Sequence, residues 1–496
     1  MCCKKIKKFI QKNRLEIIAI SSIVLIALLL RLFRISEFLT FLGDEGRDVR
    51  IVRNILQGDL AFIGPQTSIG NMYLGPLYYY IIAPALLLFN LSPVGPAVLM
   101  AFLGSLTVGL VWWVARTWFN PLSGVLAALF MALSPVAIIY SRSSWNPNPM
   151  PFFSLLAVFA LYKTWQGKDS RWLILSAISF AFALQMHYLG LSLIPTLAVF
   201  WFLSFKKTKD SPVKKKQFLV ANLKSLVIFL FLMSPLVLFD LKHQGMNYNA
   251  FKSFFTTRQT TINLNPTNSD RLVPVWNKIT SDLVMGQTEE NVTLISLSIF
   301  LLGIWAFTKE KEKAPATVLF VWLTFAVLGL SMYKQHVYAH YFGFFWPAIY
   351  ILVGWIISKL FQGAYVNKLL GIFLLFWIVI ININNSPLKQ SPNNQLQRTE
   401  DVVDLIIKES AGEPFNFGLI AKQNYDESYR YFLENKDAKM IRGEDGISDQ
   451  LFVVCENEEC EPEGDPGWQI AIFGPADTEG EWQIDHIQIF KLVHAN

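Results

Sequence analysis

Apolar residues recur along this chain in long unbroken runs, not at the spacing of a half-buried strand or a surface helix. Eleven runs are long enough, or nearly long enough, to cross a membrane: Leu15–Phe33, Pro93–Ala115, Leu122–Tyr140, Met150–Tyr162, Trp172–Met186, Leu189–Phe205, Leu223–Phe239, Val292–Phe307, Ala316–Met332, Tyr341–Ile357 and Lys368–Ile383. A hydrocarbon core of ~30 Å takes about 20 helical residues, so the shorter runs are expected to extend into their polar flanks. A twelfth stretch, Leu74–Phe89, contains Pro76, Pro84 and the consecutive Tyr78, Tyr79 and Tyr80. After Asn382 the pattern changes and acids become frequent. Arg398–Ser410 and Asn424–Glu434 read as amphipathic helices, and Phe415–Ala421, Gln450–Cys455, Trp468–Phe473 and Trp482–Leu492 as strands. The expected fold is an all-α polytopic membrane bundle of about eleven transmembrane helices over residues 1–383, with a small extracytoplasmic α/β domain over residues 384–496. No internal repeat suggests two inverted transporter halves.

Composition agrees. Of 496 residues, 53% are hydrophobic and 16% charged, against about 25% charged in soluble domains. The net charge of +6 is modest, and no basic tract interleaved with aromatics points to nucleic acid. Charge placement orients the bundle. Lys4, Lys5, Lys7, Lys8, Lys12 and Arg14 precede a first run that holds Arg31 near its end and that Arg34 follows, with no small-residue cleavage site, so the run reads as a retained helix. If Leu74–Phe89 does not cross, every other basic loop, including Lys163–Arg171, Lys206–Lys216, Lys309–Lys313 and Lys359–Lys368, falls on the cytoplasmic side. If it crosses, the Lys206–Lys216 cluster faces outward. Leu74–Phe89 is therefore expected to lie re-entrant or along the interface. The protein is then expected in the cell membrane with its N-terminus cytoplasmic. A long first outer loop, 34–92, an outer loop 240–291 with Asn263, Asn265 and Asn268, and the C-terminal domain lie outside. Cys455 and Cys460 pair as a small-loop disulfide or stay as two thiols.

Candidate chemistry gathers on that outer side. The sharpest feature is Phe41-Leu42-Gly43-Asp44-Glu45-Gly46-Arg47-Asp48, where adjacent acids follow the first run. Acids beside a membrane are costly unless solvated or used. Cations and donors on the same face are Arg142, Lys242, His243, Lys334, His336 and His340, with Tyr341 and Tyr78 as further substrate contacts. The alternatives are a snorkelling arginine at Arg142 and solvated helix-end charges at Lys242 and His243. His336 and His340, at i and i+4, leave a divalent metal open, but no third ligand is evident. His187 reads as a buried structural histidine.

This order of features resembles the membrane glycosyltransferase superfamily that uses polyprenyl-phosphate sugars, notably the protein O-mannosyltransferases and the aminoarabinose transferases of lipid A. Its carriers are the acidic pair after the first run, Gly75-Pro76-Leu77-Tyr78-Tyr79-Tyr80, Ala115-Arg116-Thr117-Trp118-Phe119, Ser134-Pro135 and Tyr140-Ser141-Arg142. The resemblance implies an inverting transferase in which Asp44 is the catalytic base and Glu45 the neighbouring acid. It also implies a polyprenyl-phosphate-linked sugar donor and a hydroxyl acceptor on protein, lipid or glycan. One carboxylate suffices for this chemistry, because the donor already carries a good leaving group and the acceptor need only lose a proton. The chain departs from the aminoarabinose transferases at Met72-Tyr73-Leu74-Gly75-Pro76, where they carry an acid and a lysine before Pro-Pro-Leu. Phosphate binding must then use other groups. Two other classes stand beside this reading: a transporter or flippase of lipid-linked sugars, which predicts mid-span charges, and a non-catalytic membrane scaffold.

Overall fold

The computed structural model describes residues 11–67, 72–256, 271–334, 336–457 and 460–495. The lysines up to Lys8, and Asn263, Asn265 and Asn268, lie outside the described residues. In chain order the helices of the bundle are α1 (Arg14–Leu32), α2 (Ile35–Phe38), α3 (Gly43–Leu56), α4 (Leu77–Leu88), α5 (Val94–Trp118), α6 (Pro121–Leu133), α7 (Pro135–Ile139), α8 (Met150–Trp165) and α9 (Trp172–Met186). They continue with α10 (Ile194–Lys206), α11 (Pro212–Lys242), α12 (Met246–Thr256), α13 (Leu272–Leu283), α14 (Val292–Lys309), α15 (Lys313–Ser331), α16 (Trp346–Phe361) and α17 (Tyr365–Asn384). A 3₁₀ turn, Tyr188–Leu193, runs straight into α10.

The chain is a multi-pass membrane protein. Among the described residues, seven helical segments are long and apolar enough to cross a bilayer, and α4, α6, α8, α9 and α16 are shorter apolar helices. Each of the eleven expected runs is helical, with Leu122–Tyr140 divided into α6 and α7 and Leu189–Phe205 and Tyr341–Ile357 opening on 3₁₀ turns. The twelfth stretch is α4, whose 12 residues span about 18 Å, well short of a straight crossing.

Two prolines show how the bundle handles backbone groups that lose a partner. Pro135 breaks the span between α6 and α7, so Met131 loses its helical N–H partner. Arg31 of α1, fully buried, answers there: its guanidinium donates to the carbonyls of Met131 (3.4 Å), Ala132 (3.3 Å) and Ala137 (3.4 Å) and to Ser141 Oγ (3.0 Å). A buried arginine thus serves as the hydrogen-bond partner of a broken helix. In α11 the carbonyl of Phe231, orphaned by Pro235, accepts from Ser234 Oγ at 2.7 Å.

The expected loop around the acidic pair is a helix. In α3, Asp44 and Glu45 occupy the first turn and Arg53 the last, which suits the helix dipole. Val49, Val52 and Ile55 form its buried stripe. The expected outer loop 240–291 likewise contains α12 and α13.

The C-terminal region follows as α18 (Gln395–Glu409), β1 (Phe415–Ile420), α19 (Glu427–Asn435), β2 (Met440–Ile441), β3 (Gln450–Cys455), α20 (Trp468–Ala471), β4 (Ala476–Ile484) and β5 (Ile487–His494). The sheet order is β2-β1-β3-β5-β4, parallel from β2 to β3 and antiparallel thereafter. The strand expected over Trp468–Phe473 is a short helix covering the sheet, where Ile470 and Phe473 pack on Leu451, Val453 and Cys455. The run Trp482–Leu492 is a hairpin, turning at Asp485 with φ 55°. Alternate residues of β3 serve two cores: Phe452 and Val454 face a hydrophobic cluster that continues without a break into the membrane bundle. Cys455 and Cys460 are disulfide-bonded.

Candidate active site

The seam between α3 and α19 places the acidic pair against the C-terminal region. Arg50 pairs with Glu427 at 2.5 Å and Arg53 with Glu434 at 2.6 Å, all four side chains at least four-fifths buried. The Gly43 N–H donates to Asn424 Oδ1 at 2.8 Å. Glycine is required twice along this line: a Cβ on Gly43 would lie 2.5 Å from the Tyr425 ring, and one on Gly46 only 2.3 Å from the Ser428 backbone nitrogen.

Asp44 is held from three directions. Its Oδ1 accepts from Arg47 Nη1 (2.7 Å) on its own helix and from the Tyr425 hydroxyl (2.6 Å). Its Oδ2 accepts from the Trp145 indole N–H (3.2 Å), in the segment between α7 and α8. The side chain nonetheless remains 40% exposed. It stands where two cavities meet. One, about 520 Å³, is lined by Asp44, Arg47, His187, Tyr338, His340 and Tyr341 among others. The other, about 300 Å³, is lined by Leu42, Asp44, Glu45, Ser143, Asn148 and Tyr425 among others. Tyr140, Trp145 and Gln423 border both.

The neighbouring acids differ from Asp44 by burial. Burial, with the Asp44 charge beside it, pushes the Glu45 carboxyl up to about 8, and Glu45 Oε2 accepts from the Leu42 N–H at 3.1 Å. Glu45 is therefore mostly protonated at neutral pH and closes the N-terminal turn of α3. Burial raises Asp48 to about 6 against the opposing pull of Arg47, which donates to it from Nε (3.0 Å) and Nη2 (2.7 Å). Across the larger cavity, burial lowers the His340 imidazole to about 4 although Asp44 draws it the other way. Burial, then His340, holds His187 well below its ordinary value. Both rings are neutral at pH 7, and each offers an N–H without a charge. His340 packs edge-on to Trp145 with ring centroids 4.5 Å apart.

Of the residues expected from sequence, the fold brings Asp44, Glu45, His340 and Tyr341 to these two cavities. His336 and His340 do not share a helix face: His336 precedes the 3₁₀ turn Ala339–Phe344 and packs on Tyr338. Lys334 lies in the same connection, on the surface. Arg142 is buried and turned away, capping the end of α1 through the carbonyls of Leu30 (3.1 Å) and Phe33 (2.5 Å). Tyr78 is fully buried, its hydroxyl 2.7 Å from Ser144 Oγ. Lys242 and His243 end α11 on the surface, where His243 stacks on Phe239. Among the described residues no three His, Cys, Asp or Glu side chains converge as metal ligands, and Arg47 already occupies the space between Asp44 and Asp48. Arg47, Trp145 and Tyr425 are the site residues that sequence reasoning passed over. Arg47 was visible, three residues after Asp44 on a helix that was not expected. Tyr425 carries no local signal, because 381 positions separate it from its partner.

The family model for dolichyl-phosphate-mannose-protein mannosyltransferases matches residues 74–239. Over its whole length the chain has the fold of ArnT from Cupriavidus metallidurans bound to undecaprenyl phosphate. The TM-score is 0.61 at 12% identity, covering 97% of this chain and 98% of that one. The apo form of that protein gives 0.58 at 13% identity, covering 96% and 97%. The Archaeoglobus fulgidus oligosaccharyltransferase tethered to an acceptor peptide gives 0.53 at 14% identity, covering 87% of this chain and 64% of that one. No curated protein matches the sequence. The resemblance to polyprenyl-phosphate-sugar-dependent membrane glycosyltransferases thus holds over the family segment and in the fold of the whole chain.

Proposed function

We propose that this chain is an inverting membrane glycosyltransferase that moves a sugar from a polyprenyl-phosphate donor to an acceptor hydroxyl, with Asp44 as the base. The observation that carries this reading is the position of Asp44: a partly exposed carboxylate, fixed by Arg47, Trp145 and Tyr425, at the junction of two cavities. A single displacement needs a donor and an acceptor approaching one carboxylate from different sides. The fold shared with a protein solved with undecaprenyl phosphate, and with one solved with an acceptor peptide, supports a lipid-linked donor and a separate acceptor.

In this reading the acceptor hydroxyl gives its proton to Asp44 as its oxygen bonds to the anomeric carbon. The bond from that carbon to the phosphate oxygen breaks, and the polyprenyl phosphate departs. The charge at the base argues for where the phosphate sits. With Glu45 protonated, Asp44, Arg47 and Asp48 together carry a net negative charge, which repels a phosphate placed against them. The larger cavity, which Asp44 and Arg47 also line, adds uncharged donors on His340, His187, Tyr338 and Tyr341. We assign the leaving phosphate to that side and the acceptor to the smaller cavity beside Tyr425 and Asn148. The base faces the cell exterior in this reading, with the C-terminal region outside.

The test is turnover with purified protein, radiolabelled polyprenyl-phosphate sugars and a membrane extract as acceptor. Asp44→Asn should abolish transfer and leave donor binding in place. Transfer at an unchanged rate in that variant would overturn the assignment of the base.

A further inference from the structure

At the end of the bundle away from Asp44 lies a second built feature. We propose that it is a binding site for the phosphate headgroup of an anionic membrane lipid. The ends of α8, α9, α10 and α11 border a half-open cavity of about 1250 Å³. Its distance from the transferase site follows from helix length. His187, at one end of the 15-residue α9, lines the Asp44 cavity, and Arg171, at the other end about 22 Å away, lines this one.

Six cations line the cavity: Lys168, Arg171, Lys207, Lys214, Lys216 and Lys224. The single carboxylate among its lining residues, Asp169, is taken by Arg171 at 2.7 Å. Lys207 donates to the carbonyl of Trp165 at 2.9 Å. Among the described residues, none of Lys168, Lys214, Lys216 and Lys224 has a carboxylate partner. Basic loops on one side of a membrane protein are ordinary. Their convergence from different loops onto one concavity is not explained by that rule.

Lys224 lies inside the apolar part of α11, 12 residues and so about 18 Å beyond its first residue, Pro212. Lys224 is exposed and second in the apolar run Leu223–Phe239, so an ammonium without a carboxylate partner stands where that run begins, at the place of a lipid headgroup. It shares a helix face with Lys214, Gln217 and Ala221, all of which line the cavity. The occupant is argued from the same helix. In its most apolar stretch only 6% of α11 is buried within the protein, so its surface lies open to acyl chains. Exposed Leu219, Val220, Leu223 and Val227 continue from the lysines along it. A phosphate in the cavity with its tails along α11 satisfies both features, whereas a free phosphate leaves the apolar stripe unused.

The test uses the full chain in detergent and measures retention of phosphatidylglycerol by native mass spectrometry, with phosphatidylcholine and inorganic phosphate as the other probes. One variant removes three lining charges, Lys214→Gln, Lys216→Gln and Lys224→Gln. A second removes three charges from the same loops outside the cavity, Lys206→Gln, Lys209→Gln and Lys215→Gln. The expected result is selective retention of phosphatidylglycerol by the wild type and by the second variant. The first should bind it on the order of tenfold or more weakly, and single Lys224→Gln should weaken it with an unchanged thermal melt. Equal weakening in both triple variants would reduce the feature to a diffuse basic face. Displacement of the lipid by millimolar inorganic phosphate would show that the tails contribute nothing. Either outcome overturns the proposal.

Discussion

Replacing Glu45 by glutamine tests the electrostatics of the site without touching Asp44, the proposed base. Glu45 is 6% exposed, and burial beside Asp44 raises its carboxyl to about 8 from an ordinary 4.5. An acid whose folded value is raised binds its proton more tightly in the folded state. Its contribution to stability is therefore greatest below the unfolded value and is lost as pH rises, here between about 4.5 and 8. At about 1.4 kcal/mol per pH unit, the gap sets a ceiling of about 5 kcal/mol, which water penetration and relaxation reduce to a few. Glutamine keeps the oxygen that accepts from the Leu42 N–H and cannot ionise. The assay is apparent melting temperature, by intrinsic fluorescence in detergent, from pH 4.5 to 10 for both proteins. Groups common to the two, Asp48 and His340 among them, cancel in the difference. The variant should gain on the wild type steadily between pH 5 and 8 and end several degrees ahead, with the gap constant above pH 9. Parallel curves, or a gap that closes with rising pH, would refute the argument that Glu45 is held neutral.

Tyr425→Phe keeps the ring that lies over Gly43 and removes the hydroxyl that donates to Asp44 at 2.6 Å. Transfer should slow roughly tenfold, the scale of one charge-assisted hydrogen bond, with melting unchanged, and steady-state kinetics will show it. Gly46→Ala forces a methyl group against the Ser428 backbone and should cost about 1–3 kcal/mol at the seam. Limited proteolysis between residues 386 and 426 should then become faster. In a background without native cysteines, Lys422→Cys should react with an impermeant thiol reagent added outside intact cells and Lys209→Cys should not, which measures orientation directly.

The bundle was legible because lipid demands long apolar runs, and a run such as Lys368–Ile383 has few competing readings; it is α17, Tyr365–Asn384. Gln450–Cys455 was legible for a different reason, since six consecutive buried residues fit an inner strand and are too few for a helix. Asp44 stood out as an acid where acids are expensive. What surrounds it did not. Helix α3 was hidden because its buried stripe, Val49, Val52 and Ile55, is narrow and set among charges that read as a loop. Lys224 was absorbed into the apolar average of Leu223–Phe239. Trp468–Phe473 has strand-like residues, yet packing over β3 favours a helical turn there. Arg31 reads as a flanking cation and is in truth the hydrogen-bond partner of a helix broken more than a hundred positions later. Contacts of that separation are properties of the assembled chain.

The glycine-tight joint between α3 and α19 has a mechanical corollary. Gly43 and Gly46 leave no slack, so the C-terminal region cannot tilt without carrying the Asp44 carboxylate with it. An antibody fragment gripping only the far surface of the sheet, and never entering the lipid, would therefore act on the chemistry as a lever acts on its fulcrum.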